Sequence, residues 1–454
     1  MSYSFISYSQ FRAALAQRLY DSSKIFITDA ELKVYSLEAL QTFNAFASFY
    51  RQEFVFDTRT NVTWYDLTDK VNLPNSLRLL NTTDTSIITA IEYHLLEPLT
   101  SAYPLTWAGS SQFSVSDILN AVQQARDQTL SEANCTITES LINAPIQTRV
   151  QLNDQVIGVR RMCWLPNSFQ SDFTANLVLP SDIWAQQSFE AGFPQSVQGT
   201  PYSYRLDTNP PDTFDVDIVP AVAGQYDLLT INAGTVLSAA AATTMTVPDD
   251  WCWVIKWGAL GQLLRRDSLA SDPVRTKYAL TRFKQATATM QKMPAVLACR
   301  INDVPVFVDT VTNGDYYDAN WQALAAAAPT KLYYAGLNML GFAPQPNAGP
   351  YGITVQVVRN MVLPVADTDD IQVGRDDLQA VLDYAQHIAM FKVGGAEFIA
   401  TLPLFDNFLR HCALYNSKLS AQSMYRELTE GLGKYDEKIT PVFDKPSPST
   451  SEKK

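Results

Sequence analysis

The side chains that could do chemistry in this chain are three histidines, an acidic turn, an acidic loop and one run of cations. His94 stands in Ile91-Glu-Tyr-His-Leu-Leu, His387 in Asp383-Tyr-Ala-Gln-His-Ile-Ala-Met-Phe and His411 in Phe408-Leu-Arg-His-Cys-Ala-Leu-Tyr. His387 and His411 lie among apolar residues at helical spacing, where an imidazole satisfied inside a core is the ordinary outcome. No His-Glu-x-x-His, His-x-His or metal-type Cys/His spacing occurs. His411 beside Cys412 would suit a base and a nucleophile, but neighbours on a helix point about 100° apart and do not meet.

The turn from Asp207 to Asp217 offers paired carboxylates of the kind that glycoside hydrolysis uses. Phe214, Val216 and Ile218 alternate, so the expectation is a half-buried strand with Asp215 and Asp217 together on its exposed face. Asp367-Thr-Asp369-Asp370 has carboxylates for calcium but lacks the glycine and closing glutamate of an EF-hand loop, and reads as a solvated loop before a helix. Arg265, Arg266, Arg275, Lys277, Arg282 and Lys284 read as a solvated or interface face rather than a nucleic-acid site. With no Walker loop, Gly-x-Gly-x-x-Gly or Gly-x-Ser-x-Gly, no catalytic, cofactor-binding or metal residue is expected, and the chain reads as a non-enzyme.

The elements that must hold these residues follow from periodicity. Ser9 precedes Phe11, Leu15 and Leu19 at one-turn spacing, and Thr28-Asp-Ala-Glu31 is a capping box opening a second helix through Leu32, Tyr35, Ala39, Phe43, Phe46 and Tyr50. Strand character in Thr60-Asn-Val-Thr-Trp-Tyr-Asp-Leu and a turn at Leu73-Pro-Asn-Ser precede helical spacing at 84–135, which reads as an insertion. Short β-type runs separated by Pro, Gly, Asn and Asp fill 146–232 and predict an antiparallel sheet or small sandwich. Val247-Pro-Asp-Asp and Ser271-Asp-Pro273 then open a helix pair over 248–293, the first helix carrying Trp253, Trp257, Leu260 and Leu264.

The remaining third restates this half-unit in order. Pro220–Tyr226 and the strand Asp-Leu-Leu-Thr-Ile-Asn match Pro346–Tyr351 and Gly-Ile-Thr-Val-Gln-Val-Val. Asp249-Asp250 and the helix through Trp257 and Leu264 match Asp376-Asp377 and the helix through Tyr384 and Phe391, with Arg265 opposite Lys392. The breaks at Asp267-Ser-Leu-Ala and Gly394-Gly395 each lead to a further helix, carrying Phe283 or Phe408. The expected fold is α+β: a helix-pair bundle with an inserted antiparallel β-sheet domain, partly duplicated in the C-terminal third. Its expected parts are a unit at 1–295, a second β plus helix-pair unit at 296–433, and a polar, disordered tail at 434–454.

Composition bounds the function class. Of 454 residues, 46% are apolar, ample for real cores, and 34 Lys and Arg against 46 Asp and Glu give a net charge of -12. A surface of that sign argues against wrapping a nucleic-acid backbone. Five scattered cysteines without a Cys-x-x-Cys pair point to reduced thiols and folding in a cytoplasm, so the sequons at Asn61, Asn81 and Asn134 carry little weight. No export signal or membrane span is legible, so a soluble protein is expected.

In the order of its elements the chain resembles tailed-bacteriophage virion proteins of the head-to-tail adaptor, or neck-ring, kind. The resemblance rests on Ile27-Thr-Asp-Ala-Glu-Leu-Lys-Val-Tyr-Ser-Leu-Glu-Ala-Leu before a β-rich insertion, and on Val247-Pro-Asp-Asp-Trp opening a helix pair with Arg266-Asp267 near its turn. It covers 8–290 in outline and, through the repeat, 340–415; the greater length and the helical stretch near 85–135 depart from a minimal adaptor. It implies a closed ring, commonly of about twelve copies, under the portal and around a DNA channel. The implied partners are copies of itself, the portal protein and a tail or nozzle protein, with DNA sliding past unread and no membrane. The alternatives are a tail or baseplate protein binding host-surface glycan through Tyr202, Tyr204, Tyr316 and Tyr317, and a virion hydrolase using Asp215 or Asp217.

Overall fold

A computed structural model describes residues 5–68, 84–96, 99–101, 104–107, 112–144, 147–166, 176–189, 198–206, 210–266, 271–293, 296–347 and 349–415. The expected turn at Leu73, Asp207, the break at 267–270 and the tail at 434–454 lie outside the described residues.

The chain opens with helices α1 (Tyr8–Arg18) and α2 (Asp29–Ala47) and strands β1 (Arg51–Asp57) and β2 (Trp64–Asp66). Helix α3 (Asp84–Leu95), the ladder of β3 (Leu99–Ser101) with β4 (Thr106–Trp107), and helix α4 (Val115–Ala133) follow. Then come β5 (Thr138–Ala144), β6 (Arg149–Gln151), β7 (Val156–Pro166), β8 (Asn176–Pro180), α5 (Ile183–Phe189), β9 (Gln198–Gly199), β10 (Ser203–Leu206), β11 (Thr213–Val216), β12 (Val219–Pro220) and β13 (Gly224–Asn232). A single 3-10 turn, Asp249–Trp251, leads to helices α6 (Trp253–Leu264) and α7 (Pro273–Lys292). Strands β14 (Val296–Ile301) and β15 (Val304–Thr310), helix α8 (Val311–Tyr317), and strands β16 (Lys331–Ala335), β17 (Met339–Ala343) and β18 (Gly352–Val358) precede α9 (Arg375–Val393), α10 (Gly395–Ile399) and α11 (Leu402–Tyr415).

The fold is mixed α+β, and helix starts are set where the sequence places polar caps. Thr28 and Glu31 close the expected capping box on α2, and Ser114 with Asp117 does the same for α4. Asp272 caps α7 with Pro273 at its first position. The first helix is capped by Ser7 rather than Ser9, and α2 stops at Ala47 rather than Tyr50 because Ser48 turns left-handed and Asn44 Oδ1 accepts the Tyr50 amide at 2.7 Å.

One sheet runs β1-β18-β14-β15-β16-β17-β2 and the other β5-β13-β7-β8-β10-β11-β6. Neither is purely antiparallel, which corrects the expectation for 146–232. Each holds one parallel pair, β15 with β16 and β8 with β10. A parallel pair needs a crossover, and α8 and α5 lie within the two connections.

Residues on both sides of 295/296 share one sheet and one core. Strands β1 and β2 form the edges around β14–β18, and the largest apolar cluster runs from Tyr8 through Trp257, Val355 and Tyr384 to Cys412. The boundary expected there does not separate two packed units, because β18 pairs with β1 over seven residues. The stretch 84–135, expected as an insertion, packs into the same core. Ile88 and Ile91 of α3 and Val122 and Ala125 of α4 are fully buried, and a Cβ on Gly258 of α6 would stand 2.8 Å from Ala125. The second sheet encloses its own cluster around Met162, Trp164, Phe214 and Tyr226, and a third cluster, with Trp64, Leu229, Trp321 and Tyr333, joins the sheets.

If one core spans both sides of 295, a fragment of residues 296–454 produced alone gives no cooperative thermal transition by circular dichroism. A sharp transition would make the C-terminal third a folding unit of its own.

Candidate functional site

A group of buried ionisable side chains lies inside the helical layer, around α2. Glu31 completes the N-terminal cap with one oxygen and accepts Lys392 Nζ of α9 at 2.6 Å with the other. Seven residues on, and so on the same face, Glu38 pairs with Lys256 of α6 and accepts Trp257 Nε1 at 3.2 Å. Lys256 also meets His94 Nε2 at 3.2 Å, and its ammonium sits 4.1 Å from the centre of the Trp257 ring. Burial pushes the Lys256 pKa down, with the Glu38 carboxylate opposing that shift.

His94 is fully enclosed, stacked on Tyr35 and edged by Phe391. Burial first, then the charges of Lys256, Arg275 and Lys392, holds its pKa well below the ordinary value. The ring is neutral, and with Lys256 donating to Nε2 its proton falls on Nδ1, which has no hydrogen-bond partner. Such a triad has the types of an acid-base site but no opening toward a substrate. What it does is fix three helices against one another.

His387 is the satisfied core histidine the sequence predicts. Thr401 gives its hydroxyl proton to Phe398 O at 2.6 Å, so its oxygen accepts from His387 Nδ1 at 2.8 Å, and Nε2 accepts from the Tyr278 hydroxyl at 2.7 Å. Burial, aided by Arg282, lowers its pKa to about 3. His411 and Cys412 diverge as helical geometry requires. His411 Nε2 meets Asp377 at 2.5 Å, while Cys412 is buried, its thiol pKa raised well above the usual range.

Several surface expectations change. Asp215 and Asp217 are both buried: Asp215 is clamped by Arg149 at 2.8 Å and Arg205 at 2.7 Å, its register partners on the two flanking strands, and Asp217 Oδ1 accepts the Tyr202 and Ile218 amides. Tyr204 is buried as well, whereas Tyr202, Tyr316 and Tyr317 are exposed. The cationic run divides. Arg282 lies fully buried over Phe405 and Trp253 and donates to the Tyr384 hydroxyl, Arg266 pairs with Asp117, and Arg275 with Asp272. Lys392 is buried while Arg265, its counterpart in the repeat, is exposed. The loop at 367–370 is docked rather than free: Tyr8 N donates to Asp369 O at 2.8 Å, and Asp367 pairs with Arg12.

Two groups went unforeseen. Asp250, read from the sequence only as an acid of a helix's first turn, is buried, where it accepts Asn44 Nδ2 and the Met361 amide at 2.9 Å, tying α2, the 249–251 turn and the segment leaving β18 together. Burial raises its pKa to about 8. At the junction of the sheets Asp227 accepts Trp64 Nε1 at 3.1 Å and Gln322 Nε2 at 2.6 Å, and Arg161 forks onto Asp315. A polar residue inside an aromatic-rich run is the only sequence signal for either. A hollow of about 450 Å³ beside this junction is lined by Arg160, Arg161, Tyr204 and Asp315, and among the described residues no His/Cys/Asp/Glu group could hold a metal ion.

Comparison with family models and with the curated proteins finds no match for this chain.

Lys256→Met strands a buried carboxylate and is expected to cost about 3–5 kcal/mol in urea denaturation, with Glu38→Gln/Lys256→Met recovering more than half; a loss below about 1 kcal/mol would show that the pair holds little. For Asp250 the folded pKa lies above the ordinary 3.8, so its stabilisation is present at low pH and is lost as pH rises toward about 8. Relative to Asp250→Asn, the parent protein should lose roughly 1 kcal/mol per pH unit across that window, and parallel melting-temperature curves would exclude the effect.

Proposed function

We propose that this chain is a non-enzymatic structural virion protein that forms a ring in the head-to-tail connector of a tailed phage, joining portal to tail around the DNA channel. Support comes from the contrast between a sealed titratable interior and large apolar side chains held outward on firm turns. Tyr20 is 97% exposed and Ile25 83% in the α1–α2 connection, where Asp21 accepts the amides of Ile25, Phe26 and Ile27 at 2.8 to 3.0 Å. Val304 and Phe307 project from β15, and Tyr316 and Tyr317 from α8. Apolar groups presented at several separate places suit contacts with neighbouring subunits and rings. In this reading the exposed faces of α7 and α11, the outer helices of the two duplicated pairs, meet adjacent copies. The portal and a tail or nozzle protein seat on the ring's two ends, and the net charge of -12 keeps DNA sliding. No helix among the described residues is long and apolar enough to cross a membrane.

A second reading is favoured by Tyr316 and Tyr317, both at least 80% exposed with ring centres 5.2 Å apart, a surface on which a sugar could stack. It makes the chain a tail or baseplate protein that binds host-surface glycan.

Imaging and mass measurement of the purified protein should show a closed ring of about twelve copies, and labelled copies in virions should lie at the head-tail junction. A protein that is monomeric both alone and in virions would end the ring reading. A location at the tail tip together with glycan-array binding would favour the second.

A further inference from the structure

Between the end of α6 and the start of α7 lies a shallow hollow of about 490 Å³. Its floor is apolar, from Leu264, Pro273 and Leu280, and the charged side chains that line it among the described residues are cations: Arg265, Lys277 and Lys284. Helix α7 carries five cations and no acid over twenty residues, in a chain of net charge -12. The neighbouring cations Arg266 and Arg275 are neutralised by Asp117 and Asp272, but among the described residues no carboxylate pairs with the three that line the hollow. The hollow therefore selects an occupant with an apolar tip flanked by acids.

One such element stands on this chain. In the loop before α9, Val365 is 87% exposed, with Asp367, Thr368 and Asp370 exposed beside it. The loop is preformed: Asp369 Oδ2 accepts the Val365 and Ala366 amides, both at 2.8 Å, and Ser9 N donates to Asp367 O at 3.0 Å. Little ordering is left to oppose its docking. Loop and hollow lie at opposite ends of α9. The loop leads into its N-terminus, while Gly394 at its C-terminus sits against Arg275 in the first turn of α7. Nineteen residues of helix separate them by about 28 Å, so the two do not meet within one copy.

We propose that the hollow receives the 364–370 loop of a second copy of this chain, Val365 on its apolar floor and the exposed acids Asp370 and Asp367, the latter already shared with Arg12, against Arg265, Lys277 and Lys284. The contact joins two different faces and is therefore heterologous; repeated with a closing rotation it makes a ring. The proposal rests on the ring reading above and gives that ring its subunit contact.

Thiol cross-linking tests it, because the five native cysteines are all buried. Carrying both Val365→Cys and Thr281→Cys, the full chain treated with a short bis-maleimide, purified or in virions, should give a ladder of covalent oligomers. The two single variants mixed should give a dimer, and either single variant alone none. Lys277→Glu/Lys284→Glu in the same background should reduce the ladder at least tenfold, and adding Thr368→Lys/Asp370→Lys should restore it. Rings seen by imaging without a ladder would overturn this contact and leave the ring reading intact. Cross-linking of Val365→Cys to itself would also overturn it, as the contact would then be like-to-like. Monomers throughout, with no ladder, would remove both.

Discussion

Two carboxylates on a helix buried almost all round need cations brought to them, and that requirement organises the helical layer. Thirteen of the nineteen residues of α2 are buried, more than one amphipathic stripe allows, so the helix needs neighbours on several sides. Glu31 and Glu38 lie within that burial, where an unpaired charge is far costlier than a paired one. Their partners, Lys392 and Lys256, come from helices distant in sequence. The C-terminal helices therefore close over the N-terminal one instead of building a core apart.

The same interleaving governs the sheets. Strands β1 and β2 gain pairing only from β18 and β17, and the Asp250 clasp binds the end of α2 to the segment leaving β18. Between the two sheets, Asp227, Arg161, Asp315 and Gln322 are joined in one hydrogen-bonded network inside an aromatic shell. A network in which nearly every charge has a partner holds two layers in a single register. Its residues are used for fastening, as are His387 and the Glu38–Lys256 pair.

A body fastened this way is suited to bearing load and to presenting surfaces of fixed shape. Its exposed apolar side chains are held by local hydrogen bonds, as Asp21 holds the α1–α2 turn and Asp369 the loop before α9. Preformed surfaces lose little entropy on association, which favours assembly from many weak contacts. The spread of basic and acidic patches within an acidic whole adds direction to such contacts.

Helix starts, the class of mixed α+β, the core stripe of α2 and the satisfied state of His387 were legible in the chain, because capping and periodicity are local properties. Strand β1 was not read from the sequence, because the alternation of Phe54 and Phe56 sits against the end of a strong helical pattern. Only the tertiary structure decided which acids are buried. Phe214, Val216 and Ile218 predict one covered face for β11, but on the other face Arg149 and Arg205 from the flanking strands lie against Asp215, covering it and supplying the charge that lets it stay buried. Likewise Asp250 reads as a helix-start acid until Asn44 and Met361 arrive from either side, and nothing in the local sequence marks Lys256 or Lys392 as the buried partners of Glu38 and Glu31. Burial and pairing are set by contacts between residues tens to hundreds of positions apart, which no local pattern records.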